Sequence, residues 1–511
     1  MSQKKDKLFS SAMAVTFVIL LSKGAGFIRE MIMAYYFGSD WVTDAYNSAY
    51  SLFYLPVLLF SSCITSTLVP LYIKQEQSLG RESANRFASN TLNIFMLAAV
   101  IVSALMFAFA PQLVTVVYPG FDGDSFSLTV TLSRIMYPTL IFFVAGLVLS
   151  SLLNAQEHYL AAQLTGFPLS FSLILAAILF SDSFGIHAQA WGVVIAGALQ
   201  VVILWPTLRK SYRYSPVLNV KDSSFLSLLV LAAPSVLSMA VNELNHMVDR
   251  MLASGLNAGD ISAMSYAFKL IMFMLGVLVV PLTTISFSKM SKEAAKRDET
   301  AVIPHVQRSF LLLFAVIVPI VCMAAVCSED VIRLAYGRGA FGNDSVVITG
   351  AVFMFYVVGV PFFGIRDLLN RVFHSLQDTK TPMIIACVSM AVNICLNLVL
   401  RKLMGVNGLA FATAVAALVG VILLMYRLSR RIKNVFDKPF CIEIIKHALA
   451  SGVSLAAALV IKSVLPTQNG ILFELLRVVA ICGTALIAYS AACALLRVKL
   501  AQRVLSLLKR S

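Results

Sequence analysis

The sequence predicts an all-α polytopic membrane protein with about fourteen transmembrane helices, and three observations predict it. Hydrophobic residues make up 59% of the chain and charged residues only 13%, where an ordinary soluble protein carries about 25% charged. Mean hydropathy is +0.86. Apolar runs of about 20 residues, enough to cross a ~30 Å hydrocarbon core, recur from Phe9 to Leu496. An outer-membrane barrel would alternate over about ten residues instead, and is excluded.

In order, the spans are expected at 9–36, 45–72, 84–110, 126–153, 159–181, 187–208, 224–253, 261–288, 305–327, 346–374, 382–400, 406–426, 442–464 and 471–496. The start "MSQKKDK" is basic, but no small-residue cleavage site follows a short apolar core, so span 1 reads as retained and not as a signal peptide. The net charge of +15 is unevenly placed. Alternate loops are basic ("KKDK", "IKQEQSLGRESANR", "LRKSYRYS", "SKMSKEAAKR", "YRLSRRIKNVFDK", "RVLSLLKRS"), and the opposite ones are acidic or neutral ("GSDWVTD", "PGFDGDS", "SDS", "LNAGD", "LPTQNG"), with "RKLMG" near 401 as the exception. The positive-inside rule then puts both termini in the cytoplasm, in agreement with an even span count. No basic segment belongs to a soluble fold, so nucleic-acid binding is not expected. The eight cysteines fall in or beside apolar spans without CxxC spacing, so neither a metal site nor a disulfide framework is indicated.

An internal repeat organises the chain. Residues 49–76 resemble 267–294 at an offset of 218: Ala49 and Leu52 match Ala267 and Leu270, Thr65 matches Thr283, and Lys74 matches Lys292. Gln156-Glu157 after span 4 answers Gln377-Asp378 after span 10, and "VYPGF" at 117–121 echoes "AYGRGAF" at 335–341. The unit is six helices, so both copies share one orientation, related by a pseudo-two-fold axis along the membrane normal. Transporters built this way hold substrate between their halves and open alternately to each side. The expected domains are an N-terminal lobe (1–215), a C-terminal lobe (216–438), and two appended helices with a cytoplasmic tail (439–511).

Charge inside the spans is costly, at least ~2.5–3.5 kcal/mol at the bilayer centre, and marks a cavity or a partner. On span 1, within "SKGAGFIRE", Lys23 and Glu30 share a face and Arg29 lies about 100° round. Gly24 and Gly26 permit close approach. Span 7 carries "NELNHMVDR", with Asn242, His246 and Asp249 at i, i+4, i+7 and Glu243, His246 and Arg250 at i, i+3, i+7. Span 8 contributes Lys269, and span 10 Arg366 and Arg371. Together these suggest a cationic cavity for an anionic group such as a phosphate or pyrophosphate. The competing reading is snorkelling or structural pairing near helix ends, which applies most to Lys23, Arg250 and Arg366. His246 also suits a packed histidine.

The motifs Gly26-Phe27-x-Arg29-Glu30, Phe37-Gly38, Thr43-Asp44-Ala45, "VDRMLASGL" (248–256), "YGRGAF" (336–341) and "FHSLQDTKTP" (373–382) occur in order. Through them the chain resembles the MurJ (MviN) family of lipid II flippases, in the superfamily that also holds multidrug and polysaccharide exporters. The resemblance implies export of a lipid-linked peptidoglycan precursor from the inner to the outer leaflet of the bacterial cytoplasmic membrane by alternating access. Its partners would be an undecaprenyl-linked glycan, membrane lipids and the cell-wall synthesis machinery. Carried over by motif, the family's span-1 arginine and acidic neighbour fall on Arg29 and Glu30, another span-1 arginine on Lys23, and its span-8 arginine on Lys269; Asp44, Arg366 and Arg371 complete the expected substrate-binding set. Lysine lacks the planar fork with which arginine grips phosphate. The family's paired arginines and acidic motif on span 2 are absent from "LPVLLFSSCITSTLVP".

The resemblance also implies a sodium site of Asp249, Asn393, Asn397 and Thr413 with a backbone carbonyl near Leu409; no other cofactor is expected. The oxygen donors suit a hard cation, and buried amides joining helices are the alternative. Export of another lipid-linked glycan is the runner-up function, followed by small-molecule antiport. A membrane-embedded glycan transferase would need carboxylates at a face, and "DGD" at 122–124 reads as a turn; the chain is not expected to be an enzyme.

Overall fold

The computed structural model describes residues 2–294, 299–466, 470–499 and 502. The basic tail 503–511, the end of the basic loop 288–297 and residues 467–469 of the last loop lie outside the described residues. Helices make up the fold, with no strand among the described residues. Twelve of these helical stretches are long and apolar enough to cross a membrane. This is a multi-pass membrane protein.

One compact unit comprises Met1–Ser262 with Gly339–Phe341. It contains α1 (Ser2–Phe37), α2 (Trp41–Ala108), α3 (Ala110–Val117), α4 (Gly123–Met136), α5 (Leu140–Ala155), α6 (Tyr159–Gln163), α7 (Phe167–Phe184), α8 (His187–Ser211), α9 (Ser223–Ala253) and the first turn of α10 (Asp260–Leu278). The 68 residues of α2 would reach about 100 Å if straight, far more than a bilayer core. Gly80, at φ 83° and ψ 170°, breaks the run. Tyr72 then donates to Asn85 Oδ1 at 3.0 Å and Gln75 Nε2 to Ser83 Oγ at 3.2 Å, contacts that a straight helix cannot make thirteen and eight residues apart. So α2 is a hairpin of two spans. The segment "IKQEQSLGRESANR", expected as a loop, is helical except at its glycine.

The other unit comprises Ala263–Arg338 and Gly342–Ser511. It holds the rest of α10, then α11 (Val280–Ala294), α12 (Ile303–Val326), α13 (Ser328–Tyr336), α14 (Asn343–Ser375), α15 (Lys380–Met404), α16 (Val406–Arg431), α17 (Lys438–Val464) and α18 (Ile471–Leu495). The contact boundary falls at 262, where the sequence repeat divides the chain at 215. α9 therefore packs with the first unit, and α17 and α18 with the second. The last two helices are fastened to α12 and α13: Arg477 pairs with Asp330 at 3.1 Å, Arg333 with Glu474 at 3.6 Å, and Lys462 donates to the Val326 carbonyl. Their outer faces stay apolar and exposed, as at Ile487 (72%) and Leu495 (84%), because lipid and not water is their solvent.

The repeat is written into the backbone. Tyr118 donates to the Ser48 carbonyl at 3.3 Å and Tyr336 to the Tyr266 carbonyl at 3.4 Å, both partners displaced by 218. Phe109 (φ −96°, ψ 19°) and Cys327 (φ −95°, ψ 23°) make the same corner between a long helix and a short one. Gly185 (φ 54°, ψ −141°) and Gly405 (φ 57°, ψ −135°) end equivalent helices. The second copy of the YPGF-type loop is two residues longer (Tyr336–Phe341 against Tyr118–Phe121), which raises the later offset to 220. Glu157 (φ 62°) and Gln377 (φ 59°) therefore share one corner, so the sequence pairing of Gln156 with Gln377 is one residue out of register.

Candidate functional site

Asp44 is the most completely engaged of the expected site residues. It lies near the start of α2 and is 3% exposed. Its oxygens accept from the backbone N–H groups of Gly259 (2.7 Å) and Ser262 (2.6 Å) and from the Ser262 hydroxyl. These amides open α10, where orphan N–H groups and the positive end of the helix dipole favour an anion. Ser39 adds bonds to the Gly259 carbonyl and to Ser262 Oγ. Asp44 thus braces the start of α10 through both of its carboxylate oxygens. Next to it, Ala340 N–H donates to the Tyr35 carbonyl at 2.8 Å, and a Cβ on Gly38 would press on the Ala340 carbonyl at 2.6 Å.

Arg29 and Glu30 meet as an ion pair, with Nη2 at 2.7 Å and Nε at 3.1 Å from Glu30 Oε1. Glu30 is buried at 6%, while Lys23 is exposed on the same helix. The acid therefore pairs with its neighbour in sequence, and the face shared with Lys23 does not bring that pair together. The Arg29 guanidinium acts electrostatically on Tyr46 and Tyr50 of α2, and also on Tyr54. These three tyrosines recur every fourth residue and stack, with centroids 6.1 Å and then 5.4 Å apart. α9 packs on α2 and brings Glu243 within electrostatic reach of Tyr54 and Arg250 within reach of Glu243; Arg250 Nη1 donates to Ser51 Oγ. The sequence reading passed over the tyrosines. Their i, i+4, i+8 spacing in "AYNSAYSLFY" was the available signal, hidden inside an apolar run.

In the second unit, Lys269 Nζ lies 5.7 Å from the centre of the Tyr266 ring and Arg366 Cζ 5.8 Å from that of Phe363. Arg371 Nε pairs with Asp367 Oδ2 at 3.0 Å, one turn away. Asn393, Asn397 and Thr413 come together: Asn397 Nδ2 donates to Asn393 Oδ1 (2.9 Å), Asn393 Nδ2 to Thr413 Oγ1 (3.3 Å), and Thr413 Oγ1 to the Leu409 carbonyl (3.0 Å). Asp249 is buried at 2% in the first unit.

The motif "FHSLQDTKTP" forms the corner between α14 and α15. Asp378 accepts from the Thr381 N–H (2.9 Å) and hydroxyl (2.7 Å) and lies 3.4 Å from Arg431. Slight desolvation pushes its pKa up, but these bonds and the arginine hold it below the usual carboxylate range. Its role here is to hold a corner.

The sequence profile of the family described as "Lipid II flippase MurJ" matches residues 33–481. The chain belongs to the MurJ family. A relative from Rhizobium meliloti (strain 1021), named "Probable lipid II flippase MurJ", is 30% identical over 84% of this chain and 82% of its own length. The "Lipid II flippase MurJ" of Burkholderia cenocepacia is 25% identical over 83% of this chain and 84% of its own. Among solved structures, a "Lipid II flippase MurJ, inward closed conformation" superposes with TM-score 0.80 at 23% identity, covering 94% of this chain and 99% of that one. An inward-facing multidrug MATE transporter superposes with TM-score 0.68 at 13% identity, over 82% and 95%. These two likenesses show the fold.

Proposed function

We propose that this protein moves lipid II, the lipid-linked peptidoglycan precursor, from the inner to the outer leaflet of the bacterial cytoplasmic membrane by alternating access, with both termini in the cytoplasm. The observation that carries the proposal is family membership across 33–481, supported by the Arg29–Glu30 pair within the largely apolar α1. The lobes 1–215 and 216–438 are the alternating halves, and 439–511 travels with the second. Arg29, Lys23, Lys269 and Arg366 supply positive charge for the pyrophosphate. Asp44 acts by bracing the start of α10, and Arg371, paired with Asp367 on its own helix, stands with these cations. The activity is transport and not catalysis, and the undecaprenyl chain stays among membrane lipids.

A sodium ion fits the residue chemistry. Asn393, Asn397, Thr413 and the Leu409 carbonyl offer oxygens on two neighbouring helices, and Asp249 offers a buried carboxylate whose cost at membrane depth a cation would relieve. When bound, the ion would supply a charge that ties transport to its gradient. Asp249→Asn should remove most of any rise in melting temperature that NaCl gives over matched choline chloride. A wild-type protein indifferent to that exchange would remove the ion from the proposal.

The second reading, export of another lipid-linked oligosaccharide or polysaccharide precursor, is favoured by one observation: residues 55–70 of α2 carry no charge. Depletion in the host followed by analysis of lipid-linked intermediates separates the two. Lipid II retained on the inner side supports the first, a different retained glycan supports the second, and neither accumulating overturns both.

A further inference from the structure

We propose that Tyr46, Tyr50 and Tyr54 form the wall that recognises the saccharide of the lipid-linked precursor; this rests on the transport reading above. Two features of the first unit lead there. The charges near the row have acidic neighbours on their own helices: Arg29 is ion-paired with Glu30, and Arg250 lies within electrostatic reach of Glu243. Residues 41–57 of α2 add no cation of their own. What α2 does present is three phenols in a fixed row, stacked at 6.1 Å and 5.4 Å with interplanar angles of 27° and 16°.

A neutral sugar has polar O–H and amide groups at its rim and apolar C–H groups on its ring, so it needs partners of both kinds. A phenol supplies an aromatic ring and a hydroxyl that donates and accepts, with only two torsions to freeze. Core packing accounts for Tyr46, which is 6% exposed beside Leu52, Phe53 and Val57, but not for the two rings that continue the row, since Tyr50 and Tyr54 remain half-buried. Stacking holds the rings in register before any ligand arrives. The wall therefore reads the headgroup's sugar and leaves the pyrophosphate to the cations named above.

The test compares two probes on purified full-length protein: lipid II, and undecaprenyl pyrophosphate, which lacks the sugar. Tyr50→Leu and Tyr54→Leu should each weaken lipid II binding about three- to tenfold and leave undecaprenyl pyrophosphate unchanged. Melting temperatures report whether the variants fold. If a leucine variant does not, Tyr50→Phe and Tyr54→Phe carry the comparison, with the same ligand-selective loss expected from the missing hydroxyl. Equal losses for both probes, or no loss for either, would overturn the saccharide wall. Wild-type protein that binds undecaprenyl pyrophosphate as tightly as lipid II would also overturn it while leaving pyrophosphate recognition standing. Wild-type protein that binds neither would instead contradict the transport reading itself.

Discussion

Arg29 and Glu30 carry the chemistry at the scale of single residues, and their effects on stability and transport can be separated. Removing one member of a buried ion pair costs about 3–5 kcal/mol, because the other charge stays behind in a low dielectric. Arg29→Ala should therefore lower the melting temperature as well as abolish complementation of a depleted host. Adding Glu30→Gln removes the residual charge and should restore most of the melting temperature without restoring complementation. A double variant that complements would show that the guanidinium serves only to neutralise its neighbour. The pair was visible in the sequence as two charges where a helix should be apolar. Their mutual contact was not, since adjacent positions point about 100° apart on a helix and only a flexible arginine bending back closes the gap.

Helices and corners follow from simpler rules, and most were legible. Runs of about 20 apolar residues located the spans because a bilayer enforces length and composition at once. The two spans of α2 were among them, but the helical form of their connection up to Gly80 was not, since polar residues such as "IKQEQSLGRESANR" are as compatible with helix as with loop; the tertiary bonds from Tyr72 and Gln75 close the hairpin. The motif around Asp44 points to a substrate ligand, and the structure adds a second demand on the same carboxylate, bracing the start of a helix more than 200 residues away.

The duplicated corners make a paired prediction. Gly185 and Gly405 have nearly equal torsions, and a Cβ at either would meet nothing within 4 Å, so only backbone strain opposes a side chain. Alanine at either should cost about 1–3 kcal/mol, equally at both sites, with asparagine no better because these torsions lie outside the left-handed helical region. Melting curves of the two single variants check this, and unequal costs would mean the corners are not equivalent. The Asp378 corner makes a prediction in pH. Its folded pKa is depressed, so its stabilising effect is present above the ordinary carboxylate value and is lost as pH falls through the folded value. Asp378→Asn should be less stable than wild type near pH 7, and the difference should shrink below about pH 4. A gap that is constant down to pH 3 would assign the effect to shape and not to charge.

At the scale of the whole molecule, a gene-duplicated helical transporter could be read from an offset of 218 because each copy must cross the same bilayer with the same corners. Substrate identity was less legible, because it depends on which side chains converge from distant helices, and the tyrosine row sat unnoticed among apolar neighbours. The proposed function requires that this chain carry lipid II across a bilayer by means of Arg29 on the first helix. The most direct measurement uses sealed proteoliposomes of purified protein and labelled lipid II, under an imposed membrane potential and sodium gradient, with label followed from one leaflet to the other. Wild-type vesicles should transfer label well above protein-free vesicles, and vesicles of the folded Arg29→Ala/Glu30→Gln variant should stay at that background. Transfer by wild type no faster than by empty vesicles, or equal transfer by the double variant, would contradict the account.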